Sequence, residues 1–296
     1  MRPREILLAL FVVVTWGVNF VVIQVGLGTM PPLLLATLRF AVAALPALFL
    51  PRPAVPWPRF IFIGMVLFTG QFALLFIGMK VGMPAGLASV VIQSQAFLTG
   101  PIAALTLGER VSLRQLGGTA IAFLGLVAIA LTAGGAGVTL AGLLLCLGAA
   151  LCWAVGNVAL RSAGKVDMFA MVTWLSIVPP LPLLALSLLF EGPHAIETAF
   201  LTMGWIGAGS VAYIAIISTN IGYGFWAYLL KLYPAAQVAP FSLLVPIAGT
   251  VSAAILLGEQ FGPIRLLGMV LVFAGLIIAV FPFDRLRARH GGEAAS

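Results

Sequence analysis

Ten stretches of about twenty mostly apolar residues follow one another along the chain, and no other feature limits its fold so strongly. A helix of about 20 residues crosses the roughly 30 Å hydrocarbon core of a bilayer. With 62% hydrophobic and 8% charged residues, the chain is far more apolar than a soluble domain, which is about 25% charged. The sequence therefore predicts an all-α membrane protein, with ten transmembrane helices at approximately residues 5–27, 32–50, 60–79, 84–107, 114–132, 139–160, 168–190, 203–229, 235–257 and 264–283.

Basic residues are distributed unevenly between the two sides of these predicted spans. If the amino terminus is cytoplasmic, twelve Lys and Arg residues outside the spans lie on the cytoplasmic side, and only Lys80 and Arg265 lie on the other. An excess of positive charge in cytoplasmic loops is typical of membrane proteins. The net charge of +7 is therefore interpreted as an orientation signal and not as a nucleic-acid-binding surface, and both termini are predicted to be cytoplasmic.

A shift of 150 residues brings the ends of the two halves of the chain into register. Leu107-Gly108-Glu109 then matches Leu257-Gly258-Glu259, and Pro84-Ala85 matches Pro234-Ala235. Each half would contain five spans, and because five is odd, the second half would enter the membrane from the opposite side. Such inverted repeats are common in secondary transporters, whose substrate site lies between the halves near the middle of the membrane. The alternative, chance similarity between glycine-rich apolar helices, is disfavoured by the shared Leu-Gly-Glu.

Amide and aromatic side chains interrupt the apolar spans at helical spacing. In hydrocarbon an unpartnered polar group costs several kcal/mol, so these side chains should face neighbouring helices or water. The residues predicted to line a substrate-binding cavity are Trp16, Asn19, Gln71, Gln93, Trp153, Asn157, Tyr213, Asn220, Tyr223 and Trp226. In the fourth span, helical spacing aligns Gln93 with Ser89 and Phe97 and turns Gln95 away. Each amide could instead bond across a helix interface, and Trp and Tyr often mark membrane surfaces.

Two cations could contribute to such a site. Arg39 lies within the second span, and Lys80 lies at the edge of the third. The hypothesis is that one of them attracts a substrate carboxylate. Alternatively, Arg39 could snorkel or cap backbone carbonyls, and Lys80 could be an ordinary loop residue.

Prolines are concentrated in the fourth and ninth spans, which are equivalent under the 150-residue shift. A proline removes a backbone donor and kinks its helix, and paired interrupted helices are typical of a transport path. The residues predicted to bend these spans during gating are Pro84, Pro101, Pro234, Pro240 and Pro246. The alternative is static bending that serves packing.

The spans contain no residue pattern typical of catalysis or metal binding. No histidine lies within a span, and G-x-S-x-G, H-E-x-x-H and C-x-x-C are absent from the sequence. An intramembrane enzyme is therefore disfavoured, and neither a metal nor a cofactor is predicted. A carrier is favoured over a channel or a scaffold. All acidic residues are expected in loops or tails, so facilitated transport is favoured over coupling through a protonated carboxylate in the membrane.

Several short segments occur in an order typical of one transporter superfamily: WGVNF, MPPLLLATLRF, QFALLF, GMPAGLAS, LGER, CWAVGN, GYGFW and VAPFSLLVP. With them the chain resembles the drug/metabolite transporter superfamily. It is most similar to EamA-type exporters of bacterial inner membranes that release cysteine and O-acetylserine, and aromatic amino-acid exporters are a close relative.

The resemblance implies a first EamA repeat at 1–133, a second at 138–283 and a cytoplasmic tail at 284–296. It also implies a central cavity between the repeats and export of amino acids or related small metabolites by alternating access. Sugars, drugs and other metabolites are the alternative cargo. The oligomeric state, the energy coupling and the individual substrate are left open.

Overall fold

The computed structural model describes residues 1–108, 112–133, 138–164 and 166–280, and every regular element in these ranges is helical. The all-helical prediction is thereby confirmed. Glu109, the link at 134–137 and the predicted tail at 284–296 lie outside the described residues.

Nine helical segments in the described part of the chain are long and apolar enough to cross a membrane. In chain order, spans 1 to 9 are Pro3–Leu27, Pro32–Phe49, Trp57–Lys80, Ala85–Leu107, Leu113–Ala130, Leu140–Arg161, Met168–Phe190, Gly204–Leu232 and Gln237–Leu257. The carboxy-terminal helix, Pro263–Val280, coincides with the tenth predicted span, but its apolar stretch is shorter. The structure therefore supports a multi-pass membrane protein with nine spans of full length.

Six of these spans contain breaks or changes of helix type. In the first half, the parts are Pro32–Ala43 and Leu45–Phe49 in span 2; Trp57–Ile63, Gly64–Gly70 and Gln71–Lys80 in span 3; and Ala85–Val91, Ile92–Ser94 and Gln95–Leu107 in span 4. In the second half, they are Met168–Leu175 and Pro180–Phe190 in span 7, and Gly204–Ala212, Tyr213–Ile221 and Gly222–Leu232 in span 8. Span 9 consists of Val245–Leu257 and of the helix Ala235–Ser242, which begins two residues before the span itself. A further helix, Pro193–Thr202, connects spans 7 and 8.

Short connections make successive spans run in opposite directions, which gives the bundle two faces. We call the face where span 1 begins the amino-terminal face, and the other the opposite face. On the amino-terminal face the backbone N–H of Arg2 donates to the Tyr233 hydroxyl (3.3 Å). On the opposite face Lys80 Nζ donates to the Leu27 carbonyl oxygen (2.6 Å).

Span 5 and the carboxy-terminal helix cross at glycines that are related by the internal repeat. A Cβ on Gly118 would lie 2.6 Å from the carbonyl oxygen of Gly275, and a Cβ on Gly125 would lie 2.5 Å from that of Gly268. The 150-residue shift, however, equates Gly118 with Gly268 and Gly125 with Gly275. Gly118 thus contacts the repeat equivalent of Gly125, and Gly125 contacts the repeat equivalent of Gly118. Contacts move toward lower residue numbers in one helix as they move toward higher numbers in the other, so these two equivalent helices are antiparallel.

The first spans of the two halves also pack reciprocally. Span 1 packs against spans 8 and 9, and span 6, its counterpart in the second half, packs against spans 3 and 4. The first span of each half therefore contacts the third and fourth spans of the other half, as expected for two related units.

Spans 3 and 8 each contain a π-helical segment at equivalent positions, Gly64–Gly70 and Tyr213–Ile221. In each, a threonine hydroxyl donates to the carbonyl oxygen five residues earlier. Thr69 Oγ1 donates to Gly64 (3.4 Å), and Thr219 Oγ1 donates to Ile214 (2.7 Å). These π-helical turns are rare and frequently occur at functional sites.

The predicted prolines do not all interrupt helices. Pro84 and Pro234 precede the first turns of helices, and Pro246 lies in a first turn. Proline is tolerated there because its missing N–H would have no helical partner anyway. Only Pro101 and Pro240 lie inside helices, while Pro246 lies in the first turn after the break in span 9; whether any of the five bends its span during gating stays a prediction.

The breaks in spans 4 and 9 nevertheless occur at equivalent positions. Span 4 changes to a 3₁₀ turn at Ile92–Ser94, and span 9 is broken at Leu243–Leu244. A 150-residue shift moves the first break to 242–244. Gln93 Nε2 donates to the Ser242 carbonyl oxygen over 3.4 Å, so the two breaks face each other.

Span 7 begins with a capped turn at the amino-terminal face. Asp167 Oδ1 accepts the backbone N–H of Ala170 (2.9 Å), and Oδ2 accepts from Lys231 Nζ (2.6 Å). The Ala170 N–H, and then Lys231, hold the pKa of Asp167 below its usual value.

Replacing Asp167 by alanine should lower the free energy of unfolding by about 1 kcal/mol at neutral pH, mainly through the lost cap, because solvent weakens an exposed ion pair. A depressed folded-state pKa gives stability that is present above the unfolded-state pKa and is lost as pH falls through the folded-state value. Thermal unfolding in detergent across a pH series should therefore show the gap between parent and Asp167→Ala shrinking in acid. Asparagine can cap a helix but does not titrate, so Asp167→Asn should remain more stable than Asp167→Ala at every pH of the series. A gap independent of pH would contradict this.

Candidate functional site

A cavity of about 770 Å³ lies between the two halves of the bundle. Spans 1 to 4, spans 6 to 9 and the carboxy-terminal helix all contribute to its wall. Small-molecule pockets typically enclose about 300–1,000 Å³, so the cavity can hold a small metabolite.

Among the described residues, the wall of the cavity reaches the amino-terminal face of the bundle and does not reach the opposite face. Arg161, Gly164 and Met168, at and after the end of span 6, extend its wall to the amino-terminal face. None of the described connecting residues on the opposite face is among the lining residues. The structure is therefore open toward the amino-terminal face and closed toward the other.

Most residues predicted to form the site do lie around this one cavity. The predicted residues in its wall are Trp16, Asn19, Arg39, Gln71, Gln93, Trp153, Asn157, Tyr223 and Trp226. They come from six different spans, so tertiary packing brings them together.

Tyr213 and Asn220 were expected in the same wall, but neither is among its described residues. The Tyr213 hydroxyl instead donates to the Thr15 carbonyl oxygen (3.1 Å). Both residues belong to the π-helical segment Tyr213–Ile221, whose wider turns rotate side chains away from positions that 3.6-residue spacing assigns. The regular spacing assumed for this part of span 8 was therefore wrong.

The two candidate cations are separated by the fold. Lys80 is not among the lining residues, and its bond to the Leu27 carbonyl places it at the end of span 1 on the opposite face. Arg39 lines the cavity and is only 3% exposed. Of the two hypotheses for a carboxylate contact, the geometry therefore leaves Arg39.

Arg39 is held by one hydrogen bond and by aromatic rings. Its Nη2 donates to Thr219 Oγ1 (3.1 Å), and its guanidinium carbon lies 4.0 Å from the centroid of the Phe72 ring. Its Nε and Nη1 have no hydrogen-bond partner among the described residues. A guanidinium with most donors unused is therefore presented at the wall of a cavity.

Gln95 was predicted to point away from the other polar residues of span 4, and the structure contradicts this. Gln95 lines the cavity and accepts a hydrogen bond from Asn157 Nδ2 (3.0 Å). The 3₁₀ turn at Ile92–Ser94 has about three residues per turn, which alters the register that an uninterrupted α-helix would give. The sequence signal that could have placed Gln95 in the wall was the presence of its polar amide within an apolar span.

An aromatic cluster forms part of the cavity wall. The ring centroid of Trp16 lies 5.1 Å from that of Tyr223 and 5.2 Å from that of Trp226. Trp16 Nε1 donates to the Ser218 carbonyl oxygen (3.0 Å), which fixes the indole against span 8. We call these three rings the aromatic cluster.

None of the described residues in the wall is acidic, and the described part of the chain contains no group of His, Cys, Asp or Glu that could hold a metal. The expectation that every acidic residue lies in a loop or tail is wrong for Glu5. Its side chain is buried in the first turns of span 1, although it does not line the cavity.

Comparison with known proteins identifies the family. The model of the EamA-like transporter family matches residues 3–131 and 140–281, which together cover most of the chain. The chain belongs to this family. The prediction of a membrane transporter in place of an enzyme is confirmed by this membership, and the two matched segments agree with the internal repeat.

Two bacterial relatives are similar over nearly the full length of this EamA-like transporter. A "Probable amino-acid metabolite efflux pump" of Salmonella typhimurium (strain LT2) is 45% identical over 99% of this chain and 100% of the relative. A protein of the same description from Escherichia coli (strain K12) is 42% identical over 95% and 96%. A solved structure described only as "Crystal structure of protein" is 19% identical over 95% of this chain and 97% of the other, with a TM-score of 0.63, and shows a shared fold.

Proposed function

We propose that this EamA-like transporter exports amino acids and related small metabolites across a bacterial inner membrane. The observation that carries the proposal is a cavity, open to the amino-terminal face, whose wall combines amides, aromatic rings and a buried arginine without a described acidic residue. The names of the two bacterial relatives support the same class of cargo.

The proposed topology has ten transmembrane helices in two inverted repeats, at 1–133 and 138–283, with both termini in the cytoplasm. The unequal distribution of basic residues supports this orientation. The antiparallel glycine crossing and the reciprocal helix pairs support the inversion. With this orientation the cavity opens to the cytoplasm, which is the state that an exporter needs for loading.

Alternating access follows from two related halves that can exchange roles. The breaks at Ile92–Ser94 and Leu243–Leu244 and the two π-helical segments lie at equivalent places in the halves. Movement at these points would close the cytoplasmic end and open the other. Pro101 and Pro240, which lie inside helices, are proposed as bending points.

The predicted residues in the cavity wall are proposed to contact the substrate. Their amides offer both donors and acceptors, and Arg39 offers a positive charge. Since no described wall residue is acidic, we propose facilitated export in which no carboxylate of the wall carries a proton.

Uptake into inverted membrane vesicles, measured with a panel of labelled amino acids, sugars and cationic dyes, tests this function. We expect saturable uptake and counterflow of one or more amino acids, absent from vesicles that lack the protein. Flux of sugars or dyes alone would favour the alternative cargo, non-saturable flux would favour a channel, and no flux would favour a scaffold. Strict dependence on a pH gradient would contradict facilitated export.

A further inference from the structure

We infer that the cavity binds the head group of an amino acid at two poles, its carboxylate at Arg39 and its positively charged nitrogen at the aromatic cluster of Trp16, Tyr223 and Trp226. This inference rests on the proposed function and deepens it. It defines the substrate class as compounds that carry a free carboxylate close to a cationic nitrogen, whether that nitrogen is a primary ammonium or is methylated.

The carboxylate pole is indicated by the unmet requirements of Arg39. A buried charge without an anionic partner is costly, and among the described residues the only hydrogen-bond acceptor for this guanidinium is the neutral Thr219 hydroxyl oxygen. Its Nε and Nη1 face no acceptor among the described residues. A carboxylate would supply both the missing charge and the missing acceptors, and its shape matches the planar fork of the guanidinium.

Arg39 also breaks the symmetry of the two halves. Span 7, Met168–Phe190, corresponds to span 2 and contains no lysine or arginine. The other arginine in the wall, Arg161, is exposed at the amino-terminal face. A deep positive charge supplied by one half alone is not a requirement of the repeated fold, and this favours a role in recognising the cargo.

The cationic pole is indicated by the composition of the cavity wall. A bound ammonium would find no carboxylate there, because none of the described wall residues is acidic. Aromatic faces attract cations through the ring quadrupole, and clusters of rings are used to recognise methylated ammonium groups. Trp16, Tyr223 and Trp226 all line the cavity, and the ring centroid of Trp16 lies 5.1 Å from that of Tyr223 and 5.2 Å from that of Trp226.

One short segment of span 8 positions both poles. Trp16 Nε1 donates to the carbonyl oxygen of Ser218, and Arg39 Nη2 donates to the hydroxyl of Thr219, the next residue. The indole and the guanidinium are therefore anchored on two successive residues, whose Cα atoms are about 3.8 Å apart. Anchoring on neighbouring residues is consistent with a ligand whose two charged groups are adjacent, as in an α-amino acid.

A head-group series on the purified protein tests the inference without any substitution. Binding is followed by tryptophan fluorescence with L-alanine, its N-trimethyl betaine, N-acetyl-L-alanine and L-alaninamide as probes. We expect the betaine to bind within a few-fold of L-alanine, because ring faces accept methylated cations. The acetylated and amidated probes, which each lack one charge, should bind about tenfold more weakly or worse.

Two substitutions then assign each pole. Arg39→Gln should remove the preference for L-alanine over L-alaninamide, and Trp226→Leu should reduce the preference for L-alanine over N-acetyl-L-alanine. Arg52→Gln is the matched control, since Arg52 also lies over an aromatic ring, Trp57, but does not line the cavity. It should leave both preferences unchanged.

The outcomes separate this inference from the function on which it rests. Equal binding of all four probes, or a preference for the carboxylate that survives in Arg39→Gln, overturns the two-pole inference while export of amino acids stands. If none of the four probes binds and the transport panel shows only sugars or dyes, both the two-pole inference and the proposed export of amino acids are wrong. If Arg39→Gln does not fold, binding of the four probes to the parent protein still tests the two-pole inference.

Discussion

Gly118→Leu should sharply lower the melting temperature of the detergent-solubilised protein and reduce its yield. A Cβ at this position would lie 2.6 Å from the Gly275 carbonyl oxygen and 2.7 Å from the Ala279 backbone nitrogen. Backbone atoms cannot rotate aside as a flexible side chain can, so span 5 and the carboxy-terminal helix would have to separate. Overpacking of a well-packed interior typically costs about 1–3 kcal/mol, and a leucine against backbone should reach or exceed the upper end.

The neighbouring Gly117 provides the control for this prediction. It is exposed, and a Cβ built on it meets nothing within 4 Å. Gly117→Leu adds the same side chain to the same helix on a different side, so it should unfold at nearly the temperature of the parent. Similar melting temperatures for the two leucine variants would show that the crossing is not as tight as the structure indicates.

Glu259→Ala should make the cavity accessible from the opposite face. The two carboxylate oxygens of Glu259 accept the backbone N–H groups of Ala85 (2.7 Å) and Gly86 (3.0 Å) at the start of span 4. A residue that follows span 9 thus fastens a helix of the other half at the closed end of the cavity. Hydrogen bonds to charged groups contribute about 1.5–3 kcal/mol each, so their loss should raise the population of states open at this face by about tenfold or more.

Thiol labelling can measure this opening. A Leu75→Cys probe in the cavity wall, with Cys146 and Cys152 replaced by alanine, would react with a membrane-impermeant maleimide added from the opposite face. Glu259→Ala should raise the labelling rate by about tenfold or more. Glu197→Ala, which removes an exposed carboxylate on the same face, should not change it. Equal rates in both variants would show that Glu259 does not hold this end closed.

A second carboxylate makes a similar contact on the opposite face. Glu191, at the end of span 7, accepts the backbone N–H groups of Leu33 (2.6 Å) and Leu34 (3.1 Å) at the start of span 2. Combining its removal with Glu259→Ala should therefore increase labelling beyond either single change.

The apolar spans, the internal repeat and much of the cavity wall could be predicted from the sequence. Trp16 and Asn19 share a face because span 1 is an uninterrupted α-helix, for which a 3.6-residue period holds. Trp153 and Asn157 could be placed for the same reason in span 6. In a regular α-helix, sequence spacing alone predicts which residues lie on the same face.

Prediction failed where the backbone departs from that geometry. Asn220 was misplaced because span 8 contains π-helical turns, and Gln95 because span 4 contains a 3₁₀ turn. Such turns depend on which carbonyl accepts each N–H, and residue type alone does not specify that choice. The separate positions of Arg39 and Lys80 likewise depend on tertiary partners, Thr219 and the Leu27 carbonyl, far away in the chain.

The equivalent π-helical segments of spans 3 and 8 bear on the evolutionary history of this protein. Thr69 and Thr219 close the same five-residue loop in halves that now share few residues. An ancestral gene for a single half, encoding this threonine before it was duplicated, accounts for both copies at once. Arg39, which has no counterpart in span 7, is not part of this shared feature, so the two halves are alike in their backbone geometry and differ in the charge that they bring to the cavity.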